Sequence, residues 1–306
     1  MSPGSEIMSA DIDIRLLTES DVESALALSA SCGWNQRAAE WHMMLQIAPS
    51  GAFAAVAPDG IVGTAIGIDY GNFAWIAMML VNPDYRSRGL GARLLEAAMG
   101  ALPRDLPIRL DATPLGRPLY ERYGFVLELS LTRHVRAAGE SRRPVPSAPV
   151  RPLVESDLSA VMHADERISG AHRHGALRWA FGDAPHYAWI GKSAGGPPSR
   201  FALRRGRLRG YCLGRGGRLF DHIGPIVADS TESAAALAAA AIAGSDGRAL
   251  VIDVHDTHEM FVDWLRRVAF EPQRPLYRMC RSGQSAGASR PSGPLIELAI
   301  MGPEFS

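Results

Sequence analysis

An α/β protein built from two copies of one unit is what this sequence predicts, and three observations predict it. The stretches "IRLLTESDVESALAL" at 14–28 and "VRPLVESDLSAVMHA" at 150–164 align without gaps. Arg15, Leu17, Glu19, Ser20 and Asp21 fall on Arg151, Leu153, Glu155, Ser156 and Asp157, an internal repeat at domain scale. Later in each copy, "PIRLDATPLGRPLYERYGFVLELSLTR" and "RALVIDVHDTHEMFVDWLRRVAFEPQRPLYR" read alike: a buried strand ending in Asp, a loop, a helix and an aromatic-led strand. Between the copies, "AAGESRRPVPSAP" at 137–149 has the Pro, Ser and Arg content of a solvated linker. The expected division is a flexible segment 1–11, a first domain 12–136, the linker 137–149, and a second domain 150–306 carrying a loop at 283–293 and a terminal strand.

Bulk properties exclude more than they assign. With 306 residues, each copy is long enough for its own core. Lys+Arg and Asp+Glu both number 32, so no net charge draws the chain to nucleic acid or to a membrane surface. Lys192 is the single lysine among abundant arginine and alanine, which reads as coding bias rather than a nucleic-acid device. Cys32, Cys212 and Cys280 are odd in number and lack C-x-x-C spacing, which predicts a reducing, cytoplasmic setting and no zinc site. "MSPGSEIMSADID" has no basic region followed by an apolar one, which predicts no signal peptide there. "AWIAMMLV" and "AAALAAAAIAG" fall short of the ~20 residues of a membrane span.

In chain order, each copy opens on a short strand and a helix that Ser or Asp can cap by accepting from free first-turn N–H groups. "FAWIAMMLVNP" is an apolar strand ended by Asn82-Pro83, and "ARLLEAAMGAL" continues as a helix with Leu94, Leu95, Ala98 and Leu102 near helical spacing. Between them lies "DYRSRGLG". A strand-to-helix junction offers free N–H groups and the positive end of the helix dipole, which hold anions. Gly89 and Gly91 supply the backbone freedom, and Arg86 and Arg88 add charge. No G-K-[ST] follows, which argues against a nucleoside-triphosphate loop, and "GLGARL" lacks the third small residue of the dinucleotide fingerprint.

The pattern present is R-x-x-G-x-G, Arg86-Ser87-Arg88-Gly89-Leu90-Gly91, preceded by "LVNPDY" and followed downstream by "PLYERYGF" at 118–125. Together these resemble the acetyl-CoA loop and the second signature of the GNAT N-acetyltransferase superfamily. The resemblance covers residues 12 to about 136. The whole chain is similar to a two-domain GNAT group with a degenerate second copy, through "GWNQ" at 33–36, "LDATPLG" at 110–116, "HIGPIVAD" at 222–229 and a terminal "LAIMGPEF" strand at 298–305. It implies a central mixed sheet flanked by helices in each domain, and acetyl-CoA as cosubstrate. Met79, Leu80 and Val81 on the splayed fourth strand, with Arg86 through Ala92, would hold it. Tyr120 stands where many members place the acid that protonates the departing thiolate, while Tyr123 is expected to pack.

Other assignments rest on fewer residues. Many relatives carry a glutamate on the fourth strand, but "WIAMMLV" has no carboxylate; Asp111 is the first candidate base, and a structural carboxylate is the equal alternative. Asp84 is expected to cap the loop. Trp34, Asn35, Glu40 and Trp41 could frame an amine pocket with ring faces and a carboxylate, with Asp253 as a further substrate candidate; a tryptophan pair in a core is the plainer reading. In "DVHDTHE", Asp253, His255, His258 and Glu259 match no familiar metal spacing. Copy two continues its fourth strand as "ADSTESAAALAAAAIAG", without Gly or Arg, so one cofactor site is expected, in the first copy. The second copy would pack against the first and wall its pocket. The expected activity is direct acetyl transfer to the primary amine of a small molecule by a monomer or homodimer, with no metal, nucleic acid or membrane partner. An acyl-CoA sensor without turnover and a protein or RNA acetyltransferase are the alternatives.

Overall fold

In both copies an arginine and an aspartate set the first strand against the first helix. Arg15 grips Asp21 through two bonds of 2.7 and 2.8 Å, and Arg151 grips Asp157 at 2.7 and 2.9 Å. Asp21 also accepts the Thr18 N–H at 2.9 Å, and these bonds hold its carboxyl well below the usual carboxylate range. The repeated arginines and aspartates are therefore paired structural parts. The computed structural model describes residues 12–192, 208–282 and 294–305; the segment 1–11 and the loop 283–293 lie outside them.

The first copy runs β1 (Asp13–Leu16), α1 (Val22–Ser31), α2 (Ala38–Ile47), β2 (Ala52–Ala57), β3 (Gly60–Asp69), β4 (Ala74–Val81), α3 (Leu90–Gly100), β5 (Ile108–Ala112), α4 (Arg117–Arg122) and β6 (Val126–Arg136). The second repeats this order: β7 (Val150–Pro152), α5 (Leu158–Ser169), α6 (His174–Asp183), β8 (Trp189–Lys192), β9 (Leu208–Arg215), β10 (Asp221–Ala228), α7 (Thr231–Ala243), β11 (Leu250–His255), α8 (Glu259–Arg267) and β12 (Glu271–Arg281), with β13 (Ile296–Ala299) added. All strands join one mixed sheet in the order β1-β2-β3-β4-β5-β12-β6-β11-β13-β10-β9-β8-β7.

That order shows an exchange. β12, from the second copy, pairs antiparallel with β5 of the first, and β6 of the first pairs antiparallel with β11 of the second. The two exchanged strands pair with each other, with Leu131 opposite Leu276 at the centre, both buried with Ile300. The segment 137–149 joins the copies in sequence, but the sheet crosses that boundary. Each crossing carries a buried ion pair. Asp111 on β5 takes two bonds from Arg278 on β12, both 2.9 Å, and Asp253 on β11 takes two from Arg133 on β6, both 2.7 Å.

The helices cover two faces. On one, α3 lays Leu90, Leu94, Leu95 and Ala98 on Ile76 and Leu110 of the first copy, while α7 of the second buries an alanine-rich surface with Phe261 and Leu265 of α8. On the other face one core serves both copies and joins Trp41 and Trp75 to Leu177, Tyr211 and Phe305. The chain end enters that core. The terminal strand is Ile296–Ala299 rather than 298–305, because Gly302 turns the backbone at φ 130° and Pro303 has no N–H to pair. Pro303 and Phe305 instead accept from Trp75 Nε1 at 3.1 Å and the Tyr70 hydroxyl at 2.9 Å.

Candidate functional site

A gap opens in the first copy where two parallel strands separate. β4 and β5 pair only at Ala74–Ile108 and Trp75–Arg109, so the β5-facing edge of β4 is unpaired beyond Trp75. A register shift against β3 accompanies the divergence, with Met78 at φ 50° and its carbonyl accepting the Thr64 hydroxyl at 2.8 Å. Met79 and Val81 pack partly buried on the α3 side, and Leu80 is buried.

The same gap in the second copy is filled. β10 and β11 pair at Asp221–Leu250 and His222–Val251 and then diverge. β13 enters the opening, pairing with β10 at Ile226–Ala299 and with β11 at Val254–Ala299. Hydrogen bonds that would face a ligand in the first copy are met by protein in the second.

The loop at the mouth of the first gap has the features of an anion cradle. Pro83–Tyr85 forms a single turn, capped by Asn82, whose Oδ1 accepts the Asp84 N–H at 3.0 Å; the expected capping role of Asp84 thus belongs to Asn82. Ser87 at φ 62° and Gly89 at φ 76° bend the chain into α3. The N–H groups of Ser87, Gly89, Leu90 and Gly91 have no backbone acceptor among the described residues, and the first turn of α3 carries no acid. A Cβ on Gly89 would meet nothing within 4 Å, and one on Gly91 only Leu119 at 3.5 Å and Val81 at 3.8 Å. Gly89 is thus set by its left-handed backbone, and Gly91 leaves the approach to Ala92 and the helix start clear. Arg86 bonds the Val81 carbonyl at 3.1 Å, and Arg88 lies over the Tyr85 ring at 5.3 Å, which keeps both guanidinium groups at the loop. These residues fit a pyrophosphate.

In the second copy the equivalent helix start is capped by its own side chains. Ser230 caps α7 by accepting the Ser233 N–H at 3.2 Å, Asp229 accepts the Ser233 hydroxyl at 2.8 Å, and Glu232 adds a negative charge in the first turn. An anion would meet the negative charge of Asp229 and Glu232 there, with the Ser233 N–H already taken by Ser230.

Tyr120, on α4, is buried and packs edge-on against Phe125 at 5.9 Å. Burial pushes its pKa well above that of an ordinary phenol, so it remains protonated. Its hydroxyl has no protein partner among the described residues. Tyr123 is tied differently, donating to Glu96 of α3 at 2.6 Å.

The candidate acids and the acceptor-pocket residues are not gathered at this gap. Asp111 is shielded by Arg278; burial raises its pKa against the pull of that guanidinium. Asp253 is equally buried, but Arg133 holds it below the usual range with His222 Nε2 at 3.3 Å. Neither offers an open carboxylate. Glu40 is 2% exposed, pairs with Arg215 at 2.9 Å and accepts the Arg37 N–H at 2.7 Å. Asn35 accepts the Leu219 N–H at 2.7 Å and donates to the Phe220 carbonyl at 2.9 Å, while the Trp34 carbonyl accepts from Arg218. Gln36 reaches Glu304 at 2.6 Å. "GWNQ" therefore clamps the two copies together instead of lining an open amine pocket, and Trp41 is core. The spacing of "GWNQ" carries no sign of partners near residue 220, and nothing in their local sequence distinguishes Arg278 or Arg215 from the other arginines.

His255 lies 3.6 Å from Glu297, and His258 faces the Glu297 carbonyl at 3.1 Å. Among the described residues no group of three or more His, Cys, Asp or Glu is placed to hold a metal, and no helix is long and apolar enough to cross a membrane. Two cavities, of about 390 Å³ against α8 and about 200 Å³ between α2 and α6, lie away from the loop.

Comparisons with known proteins agree with this geometry. Residues 49–127 and 194–290 each match an acetyltransferase (GNAT) domain family, together more than half of the chain. The chain is 26% identical over 255 residues to the uncharacterized N-acetyltransferase YitH of Bacillus subtilis (strain 168), covering 83% of this chain and 86% of that one. A crystal structure of an acetyltransferase candidate from Pyrococcus horikoshii superimposes over 100% of this chain and 99% of its own with a TM-score of 0.75 at 19% identity. A tandem GNAT protein from the clavulanic acid biosynthesis pathway aligns over 91% of this chain and 99% of its own, with a TM-score of 0.60 at 14% identity. At these identities the two structures show the shared fold.

Proposed function

Because the chain belongs to the GNAT acetyltransferases, we propose that its first copy transfers an acetyl group from acetyl-CoA directly to the primary amine of a small molecule. The observation that carries this reading is the difference between the two gaps. One is open beside a loop with free N–H groups; the other is closed by β13 and a self-capped helix.

The cosubstrate supplies an acetyl thioester. Ser87, Gly89, Leu90 and Gly91 would hold its pyrophosphate through backbone donors, with Arg86 and Arg88 adding charge; the N–H of Ala92, expected among them, already donates to the Gly89 carbonyl at 3.1 Å. The unpaired edge of β4 at Met79, Leu80 and Val81 would align the pantetheine arm and offer an N–H to the oxygen on which charge develops. Tyr120, kept neutral by burial, would give its proton to the leaving sulfur. With Asp111, Glu40 and Asp253 in ion pairs, removal of the acceptor's proton is left to water. Cys32 has no paired histidine among the described residues to support a covalent route. The chain carries no concentrated run of charge with which to dock a protein or RNA, which favours a small amine as acceptor.

Release of free thiol from acetyl-CoA, followed across a panel of small primary amines, tests this. Release that depends on the amine and saturates with it is the expected result. Acetyl-CoA binding without thiol release with any amine would replace the enzyme reading with that of a sensor.

A further inference from the structure

The second copy has lost the cofactor cradle but holds a cavity that the proposed transferase does not use. It measures about 390 Å³ and lies between β6, β12 and α8, within the size range of small-ligand sites. Glu259, Val262, Asp263 and Arg266 line it from one face of α8; Thr132, His134, Asp256 and Pro272 complete it.

Its polar groups are mostly acceptors. Asp263 pairs with Arg266 at 2.9 Å and Asp256 accepts the Thr132 hydroxyl at 2.7 Å, which leaves three carboxylates against one guanidinium. His134 is 1% exposed. Its Nδ1 lies 3.1 Å from the Thr132 carbonyl. A carbonyl only accepts, so Nδ1 carries the hydrogen and Nε2 presents its lone pair. That Nε2 has no donor among the described residues. Burial, aided by the charge of Arg266, lowers the His134 pKa and keeps the ring neutral. His134 lines the cavity, so this Nε2 is an acceptor open to a donor bound there.

The first copy shows what fills the corresponding place. Arg117 and Glu259 begin their helices at the same spacing after Asp111 and Asp253, and Tyr277 precedes Arg278 as Thr132 precedes Arg133. In the first copy the Arg117 guanidinium lies 4.8 Å over the Tyr277 ring, held by Glu121 at 2.7 Å. In the second, Asp263 keeps the place of Glu121, but Glu259 replaces the arginine and Thr132 the tyrosine. The guanidinium is removed and a carboxylate is added.

We propose that this cavity binds a small guanidinium-bearing molecule, whose N–H groups meet Glu259, Asp263 and His134 Nε2. A planar cation with several donors matches paired carboxylates. The site is independent of the loop at residues 86–92.

Calorimetric titration of the full chain with 1-butylguanidine, which has no primary amine to be acetylated, tests the proposal. One molecule per chain is expected to bind. The double variant Glu259→Gln, Asp263→Asn should weaken binding at least tenfold, and Gly91→Glu should leave it unchanged. Both acids are exposed, so circular dichroism should show the double variant folded. No binding at millimolar probe, equal binding by the double variant, or loss of binding in Gly91→Glu would overturn the proposal. That last result would place the probe at the cofactor loop, and the transferase reading would stand unaffected.

Discussion

Replacing Arg278 with methionine is expected to destabilise the protein by about 3–5 kcal/mol, although the residue belongs to the second copy in sequence. The reason is that Asp111 would remain buried between β5 and β12 with no cation. Removing both charges, as in Asp111→Leu with Arg278→Met, should recover most of the loss, because a packed apolar pair avoids the desolvation that the ion pair must offset. Burial already raises the Asp111 pKa with its partner present. Without it the carboxyl rises further, so the deficit of the single variant should be full at neutral pH and shrink as the pH falls and the group takes a proton. Denaturant unfolding of the three proteins at two pH values measures this. Equal stability of single variant and wild type would mean that the exchanged strand is not held by this pair.

The second large effect concerns Tyr120. Tyr120→Phe should lower kcat about 10²- to 10⁴-fold, the span of general acid catalysis, with acetyl-CoA affinity and stability close to those of the wild type. Among the described residues its hydroxyl has no protein partner to lose, and the ring keeps its contact with Phe125. A drop in kcat alone, with acetyl-CoA affinity unchanged, identifies an interaction made in the transition state, as a proton donor makes. An unchanged kcat would make Tyr120 a core residue of α4.

Local chemistry was legible in the sequence, and long-range partners were not. The repeated Arg15 and Arg151 announced two copies, and their matching bonds to Asp21 and Asp157 bear out that reading. The glycine loop was legible because free N–H groups at a helix start depend on a few consecutive residues. The strand exchange left no comparable trace: a period-2 apolar pattern says that β6 and β12 are strands, but not which neighbours they choose. Asn35 and Glu40 looked like pocket residues because a polar side chain beside tryptophans suits either a ligand or a second domain. Their partners lie some 180 residues away. The plugging of the second gap by Ile296–Ala299 was likewise hidden, since the fragment reads as an ordinary terminal strand.

Calorimetric titration of the full chain with acetyl-CoA, beside Gly91→Glu, tests the central claim most directly. A Cβ at Gly91 meets its neighbours at ordinary contact distance, so the variant should fold while its carboxylate opposes the pyrophosphate. The account predicts one binding site per chain, lost in the variant. Two sites per chain, or undiminished binding by Gly91→Glu, would contradict it.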